Sequence, residues 1–200
     1  MYQNCIKRLL AIVLSLLGIL VLGWLLVVLS IAIKLDSPGP VLFKQNRVGR
    51  GKSHFYILKF RTMRTDTPKD MPTHLLMDPD RYITRVGRFL RKTSLDELPQ
   101  LFNILLGHMA IVGPRPALWN QFDLIAERDK YGANDIRPGL TGWAQINGRD
   151  ELEIDAKARL DGEYVKNLSF AFDLKCFLGT IGVVLCRDGV VEGGTGAMQK

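Results

Sequence analysis

The chain has 200 residues and a formal net charge of +7. That length suits one domain with an extra element, and the positive balance favours anionic partners: nucleic acid, an anionic membrane surface or phosphorylated substrates. Its three cysteines, Cys5, Cys176 and Cys186, are odd in number and lack a C-x-x-C spacing, which suggests neither a disulfide framework nor a zinc site.

From Leu9 to Ile33 there is no charged residue, and Ser15 and Ser30 are the only polar side chains. As a helix this run extends about 37 Å against a hydrocarbon core of about 30 Å, which predicts a membrane helix. Lys7 and Arg8 precede it; Lys34, Lys44, Arg47, Arg50 and Lys52 follow. Basic residues on both sides leave two topologies, a single crossing or a helix that enters and returns to the same face. A return needs a break, for which Gly18 and Gly23 are the candidates; without proline in the run, sequence physics favours the crossing.

Asp36-Ser37-Pro38-Gly39-Pro40 stops the helix. Val41–Lys44 and His54–Phe60 read as strands joined by a turn at Gly49-Arg50-Gly51-Lys52. In the second strand Phe55, Ile57, Lys59 and Arg61 share a face, which passes from apolar to basic and so runs from a core toward a site. Thr65 to Arg81 is a polar loop with three prolines. Ile83 to Arg91 has the spacing of a basic amphipathic helix, suited to a solvated face or to lipid headgroups. Leu98–Leu106 is an apolar helix closed by Gly107. Leu118–Tyr131, Ile154–Val165 and Leu174–Leu185 are further helices, the last too short to span with ease. Arg137 to Arg149 holds three glycines and a proline and excludes a long helix. The fold class expected is α+β: a membrane helix over 1–36, a compact, mainly helical domain with a small hairpin over 37–188, and a glycine-rich tail over 189–200.

Ser94-Leu95-Asp96-Glu97 has the S-x-x-E pattern of a capping box. With Ser94 as N-cap, Asp96 and Glu97 lie at the positive end of the helix. Pro99 fits better if the helix starts at Asp96, and the sequence leaves both open. Two acids that only cap a helix are the simpler reading. Against it stand Arg88, Arg91 and Lys92 just upstream, Arg115 between two prolines, and Arg137 before a proline. Guanidinium forks suit phosphate oxygens, so carboxylates with arginines point to phosphoryl chemistry: the acids hold Mg²⁺ or attack, and the arginines take the developing charge. No P-loop, G-x-G-x-x-G or G-x-S-x-G pattern occurs, and the three histidines have no ligand-like spacing. Trp143 reads either as a base-stacking residue or as a core tryptophan.

Taken in order, Lys59-Phe60-Arg61-Thr62-Met63, Ser94-Leu95-Asp96-Glu97-Leu98-Pro99-Gln100-Leu101, Val112-Gly113-Pro114-Arg115-Pro116 and Arg137-Pro138-Gly139-Leu140-Thr141-Gly142-Trp143-Ala144-Gln145, followed by Asn147-Gly148-Arg149, give the chain a close resemblance to the monotopic phosphoglycosyl transferases, small bacterial sugar transferases. The resemblance runs from Met1 to about Arg187. It implies transfer of sugar-1-phosphate from a UDP-sugar to a polyprenyl (undecaprenyl) phosphate, with release of UMP, at the cytoplasmic face of the bacterial inner membrane. Asp96 would be the covalent nucleophile and a Mg²⁺ ligand. Glu97 would be the acid–base or positioning partner, and Lys59, Arg61, Arg91, Arg115, Arg137 and Arg149 would make phosphate or nucleotide contacts. It directs the positive charge to these substrates and to membrane lipid, not to nucleic acid; self-association is left open. Three positions depart from the family pattern: Gly23-Trp24 stands where a Ser-Pro break is expected, His108 where aspartate is usual, and Asp150 where asparagine is common. Two rivals remain, a non-enzymatic membrane-tethered basic module and a hydrolase of nucleotide sugars.

Overall fold

A computed structural model describes residues 2–67, 81–148 and 152–186. Most of the polar loop expected over Thr65–Arg81, together with Arg149, Asp150 and the glycine-rich tail, lies outside the described residues. The fold mixes helix and strand, as expected, with a long apolar N-terminal helix and a small hairpin.

Helix α1 (Lys7–Asp36) follows a π-helical turn over Tyr2–Ile6 and runs unbroken through Gly18 and Gly23. Among the described residues it is the one helix long and apolar enough to cross a membrane. One face docks on the rest of the chain along the whole helix. Ala11 joins a core cluster with Phe55, Ile57, Ile104 and Met109, and Leu29 and Ile33 join another with Phe60 and Leu90. Both ends are tied. Lys7 pairs with Asp173 at 2.7 Å, and Arg8 donates to the carbonyls of Ile104 and Leu105. At the far end the Asp36 carboxylate accepts from the Val86 N–H. The opposite face is a stripe of exposed side chains that includes Leu9, Val13, Leu20, Trp24, Val27 and Ile31. Their spacing of three to seven residues keeps them on one side of the helix.

Strands β1 (Leu42–Val48) and β2 (His54–Phe60) form the antiparallel hairpin, in register from Leu42 opposite Phe60 to Val48 opposite His54. The turn places Gly51 and Lys52 in the left-handed region, φ 61° and 60°. Helix α2 (Arg85–Lys92) starts where the Thr84 hydroxyl accepts from the Gly87 N–H. It buries Leu90 and turns Arg85, Arg88 and Phe89 outward. Helix α3 (Gln100–Leu106) ends at Gly107, whose φ of 90° supplies the left-handed cap expected there. Asn103 of α3 is almost wholly buried. It accepts from the Leu58 N–H and donates to the Tyr56 carbonyl, so α3 covers the β2 edge that β1 leaves unpaired.

Then follow β3 (Ala110–Val112), α4 (Phe122–Asp129), β4 (Gly139–Thr141), the short α5 (Trp143–Ile146), α6 (Ile154–Lys166) and α7 (Phe170–Cys186). Helix α7 begins four residues before its expected start. The parallel pairing of β3 with β4 was not anticipated; it seats the two glycine–proline loops against each other. The contact is backbone on backbone: a Cβ on Gly139 would lie 2.1 Å from the Gly113 nitrogen, and one on Gly142 would lie 2.1 Å from the Gly113 oxygen. Gly139→Ala is therefore expected to destabilise the fold by about 3 kcal/mol, since main chain must move to make room. Thermal melts of the purified variant in detergent check this; an unchanged midpoint would contradict the packing.

Trp143 proves to be a packing residue. Its ring lies 4.9 Å from that of Phe172, Lys175 stands over it, and its N–H donates to Glu163. His108 stacks on Phe55 with ring centroids 5.7 Å apart.

Candidate active site

Asp96 and Glu97 lie in a single 3₁₀ turn, Leu95–Glu97, between α2 and α3. The capping box does not form. Ser94 adopts φ 56°, ψ 16° and its side chain makes no cap, while α3 begins at Gln100 with Pro99 at the capping position. A non-glycine residue in the left-handed region is strained, of order 1–3 kcal/mol, and such strain concentrates at functional sites. Here it turns the chain sharply, so that both carboxylates face the end of β2 rather than crowning a helix.

The two acids have different surroundings. Glu97 Oε1 accepts from Lys59 Nζ at 2.7 Å and from Arg115 Nη2 at 3.1 Å. Asp96 makes no hydrogen bond among the described residues; Lys59 Nζ stands 4.0 Å from its Oδ2. Burial pushes the Glu97 carboxyl up, but the charges and hydrogen bonds of Lys59 and Arg115 outweigh it and hold the group well below the usual carboxylate range. Burial also pushes the Asp96 carboxyl up. Lys59, Arg91 and Arg115 oppose this by charge alone and the Glu97 charge adds to it, so its pKa lies above the ordinary value. One acid is thus locked as an anion and spent on holding cations. The other is weakly solvated and meets no hydrogen-bond donor among the described residues, an environment in which a carboxylate can act as a nucleophile.

Of the sequence-predicted cations, the structure gathers three at the dyad. Lys59 continues the β2 face of Phe55 and Ile57 out of the core, as the alternation implied. Arg115 is presented by the rigid Pro114–Pro116 loop. Arg91 is oriented by its Nε bond to the Thr62 hydroxyl, 2.9 Å, and acts on Asp96 through its charge. Arg61 is placed differently. It is buried and donates to the carbonyls of Ser37 and Pro38 and to the Ser37 hydroxyl, closing the C-terminal end of α1. Arg137 lies at the opposite end of α3 from the dyad and donates to the Gly107 carbonyl.

Two supporting residues were not foreseen. Arg128 Nη1 donates to the Arg115 carbonyl at 2.9 Å, and its Nε and Nη2 grip Asp161 Oδ2 at 2.8 and 2.6 Å. Both side chains are almost wholly buried. The signal was there to read: Arg128 follows Leu124 by four residues on the buried face of α4, and Asp161 lies between Ala158 and Tyr164 on the buried face of α6. A lone charge on an apolar stripe needs a partner, and these two have opposite signs.

A carboxylate attacks only when ionised, so with Asp96 as the attacking group its raised pKa would set the acid limb of the rate profile. Activity is expected to fall with falling pH at a higher pH than a free aspartate would give, and Lys59→Met, which removes the leading opposing charge, is expected to move that limb higher still. The pH dependence of kcat/KM measures both. A limb at the ordinary aspartate value would contradict the site's electrostatics.

A mixed helix–strand domain docked on an apolar helix, with a pair of carboxylates beside three cations, is an arrangement suited to an enzyme that handles phosphate esters beside a membrane. The chain belongs to the bacterial sugar transferase family, whose model matches residues 2–187. It is 42% identical over 160 residues to "Uncharacterized sugar transferase EpsL" of Bacillus subtilis, covering 80% of this chain and 77% of that protein. It is 42% identical to "Exopolysaccharide production protein PSS" of Rhizobium leguminosarum, covering 91% and 96%. To the "UDP-glucose:undecaprenyl-phosphate glucose-1-phosphate transferase" of Escherichia coli it is 39% identical, covering 90% of this chain but 40% of that protein. Several relatives are thus more than twice as long, and the chain spans less than half of them.

Proposed function

We propose that the chain transfers sugar-1-phosphate from a UDP-sugar to polyprenyl phosphate in two displacements. The observation that carries this is the division of labour between Asp96, which accepts no hydrogen bond among the described residues, and Glu97, which is tied to Lys59 and Arg115. In the first step an Asp96 carboxylate oxygen attacks the phosphorus that bears the sugar. The bridging P–O bond of the diphosphate breaks and its electron pair leaves with UMP. In the second, a phosphate oxygen of the polyprenyl acceptor attacks the same phosphorus and expels Asp96. Splitting one transfer into two lets a soluble donor and a lipid acceptor use one site in turn. Lys59 and Arg115 carry the charge that develops on the phosphoryl oxygens, and Glu97 keeps both cations aimed.

Mg²⁺ fits this site in a limited way. Among the described residues no three His, Cys, Asp or Glu side chains cluster to hold a metal. Mg²⁺ commonly takes one or two carboxylates and fills the rest of its shell with water and substrate phosphate. Asp96 would be the protein ligand, because Glu97 is occupied by its cations. When bound, the ion would neutralise diphosphate charge.

The membrane placement follows from α1. Its outer stripe is apolar and its inner face and both ends are held by one domain. This favours an unbroken helix that lies along one face of the membrane over the simple crossing that its length alone suggested. The cytoplasmic face of the inner membrane is the side where UDP-sugars are made. Names of relatives, such as that of the Escherichia coli transferase, support the donor and acceptor classes.

The test is direct. Purified protein with UDP-glucose, UDP-galactose or an N-acetylated UDP-sugar, undecaprenyl phosphate and Mg²⁺ should release UMP continuously. Without the acceptor it should release about one equivalent and stop, as a covalent intermediate requires. Sustained release without acceptor would make the protein a hydrolase instead.

A further inference from the structure

At the far end of α3 from the dyad, a pocket opens among Gln3, Lys7, Arg8, Arg50, Met109 and Arg137. Its position follows from two elements. The dyad precedes α3 and Lys59 lies near the end of β2, whereas Gly107 closes α3 and Arg50 lies in the turn before β2. The seven residues of α3, about 10 Å of helix, lie between the two places.

The arginines here are held in an unusual way. Arg137 is fixed through Nε to the Gly107 carbonyl at 3.0 Å, and Arg50 through Nε to the Asp135 carbonyl at 3.1 Å. Among the described residues neither donates through its terminal nitrogens, and neither meets a carboxylate within ion-pair distance. Both guanidinium forks are therefore anchored at the base with their outer N–H groups left over. Arg8 lies beside them with its own fork spent on Ile104 and Leu105. The helix end does not account for this much charge. A helix C-terminus carries roughly half a negative charge, which one cation satisfies. Lys7, the fourth cation, is already neutralised by Asp173. Burial, together with the charges of Arg50 and Arg8, lowers the Arg137 pKa, so the cluster stands under mutual repulsion.

We propose that Arg50 and Arg137, backed by Arg8, form a phosphate-binding pocket separate from the catalytic dyad. Two forks presented together suit the oxygens of one phosphate group, which takes bidentate bonds from each and relieves the repulsion. The pocket lies beside the first turn of α1, where the exposed apolar stripe begins at Leu9. A phosphate at that border is either the headgroup of an anionic lipid or a free phosphate from solution.

The experiment uses the full chain in neutral detergent. Inorganic phosphate is titrated by thermal shift, and dihexanoyl phosphatidylglycerol and dihexanoyl phosphatidylcholine by calorimetry. Phosphate is expected to raise the melting temperature of the wild type. Arg50→Gln, an exposed change whose amide can still reach Asp135, is expected to weaken phosphate binding by about tenfold. Arg137→Lys, which keeps the charge and loses the fork, is expected to weaken it as well. Arg115→Gln should leave this binding intact, which separates the pocket from the catalytic site whether or not the transfer reaction is as proposed. Phosphatidylglycerol binding that is lost in Arg50→Gln, with no binding of phosphatidylcholine, would assign the pocket to lipid headgroups. Binding of inorganic phosphate alone would assign it to a soluble anion. An undiminished phosphate response in both Arg50→Gln and Arg137→Lys overturns the proposal.

Discussion

Asp96→Asn is expected to lower kcat by about 10³-fold or more, because an amide cannot take the place of a carboxylate nucleophile on phosphorus. The change is nearly isosteric. Asp96 makes no hydrogen bond among the described residues and its contact with Lys59 is long, 4.0 Å, so the fold should be little affected. The burst of UMP in the absence of acceptor should disappear along with turnover. Glu97→Gln gives the contrast. It leaves Lys59 and Arg115 without the anion that holds them, so turnover should fall by about 10²-fold, the scale of one lost electrostatic stabiliser, while a burst remains detectable. If Asp96→Asn kept its burst and Glu97→Gln lost it, the nucleophile would be Glu97, and the electrostatic division of the pair would have been misread.

How much of this was legible depends on the range of the interactions. The hairpin's turn, its second strand and the end of α3 match the sequence reading because alternation, Gly49-Arg50-Gly51-Lys52 and Gly107 are local signals, whereas β1 runs to Val48, four residues past its expected end at Lys44. The β2 face that leads from Phe55 through Ile57 to Lys59 was legible for the same reason. Arg61 shares that parity, yet β2 ends at Phe60, and one residue beyond a strand alternation no longer fixes direction. Its guanidinium turned back to close α1. The β3–β4 pair could not be read from periodicity, since each strand has three residues and the pairing joins Ala110 to Gly139 across a whole helix and its loops. The glycines of the two loops were visible as motif residues. Their reason, main chain meeting main chain, appears only when Gly113 and Gly139 are seen together. At the dyad the residue types sufficed to raise phosphoryl chemistry, but the capping pattern misled. Ser94 spends its conformation on a sharp turn, and Glu97 is held by two cations instead of a backbone N–H.

The Arg128–Asp161 pair allows stability and catalysis to be separated. Asp161→Ala leaves a guanidinium buried beside no carboxylate, and breaking such a pair from one side is expected to cost about 3–5 kcal/mol. The pair is not ideal even when intact, because Asp161 Oδ1 has no hydrogen-bond partner among the described residues and Arg128 grips only Oδ2. Replacing both partners, Arg128→Met with Asp161→Leu, should therefore restore most of the melting temperature, since the two apolar side chains need no compensation. Activity should not recover with it. Arg128 also holds the Arg115 carbonyl, and Arg115 holds Glu97, so the double variant keeps its fold but loosens a cation of the dyad. A reduced kcat with near-wild-type melting is the expected signature, the loss lying in kcat more than in KM because the contact matters most as charge develops. A double variant with both wild-type melting and wild-type kcat would reduce Arg128 to a structural residue. If instead the melting temperature of the double variant stayed as low as that of Asp161→Ala, the cost would come from packing rather than from the stranded charge.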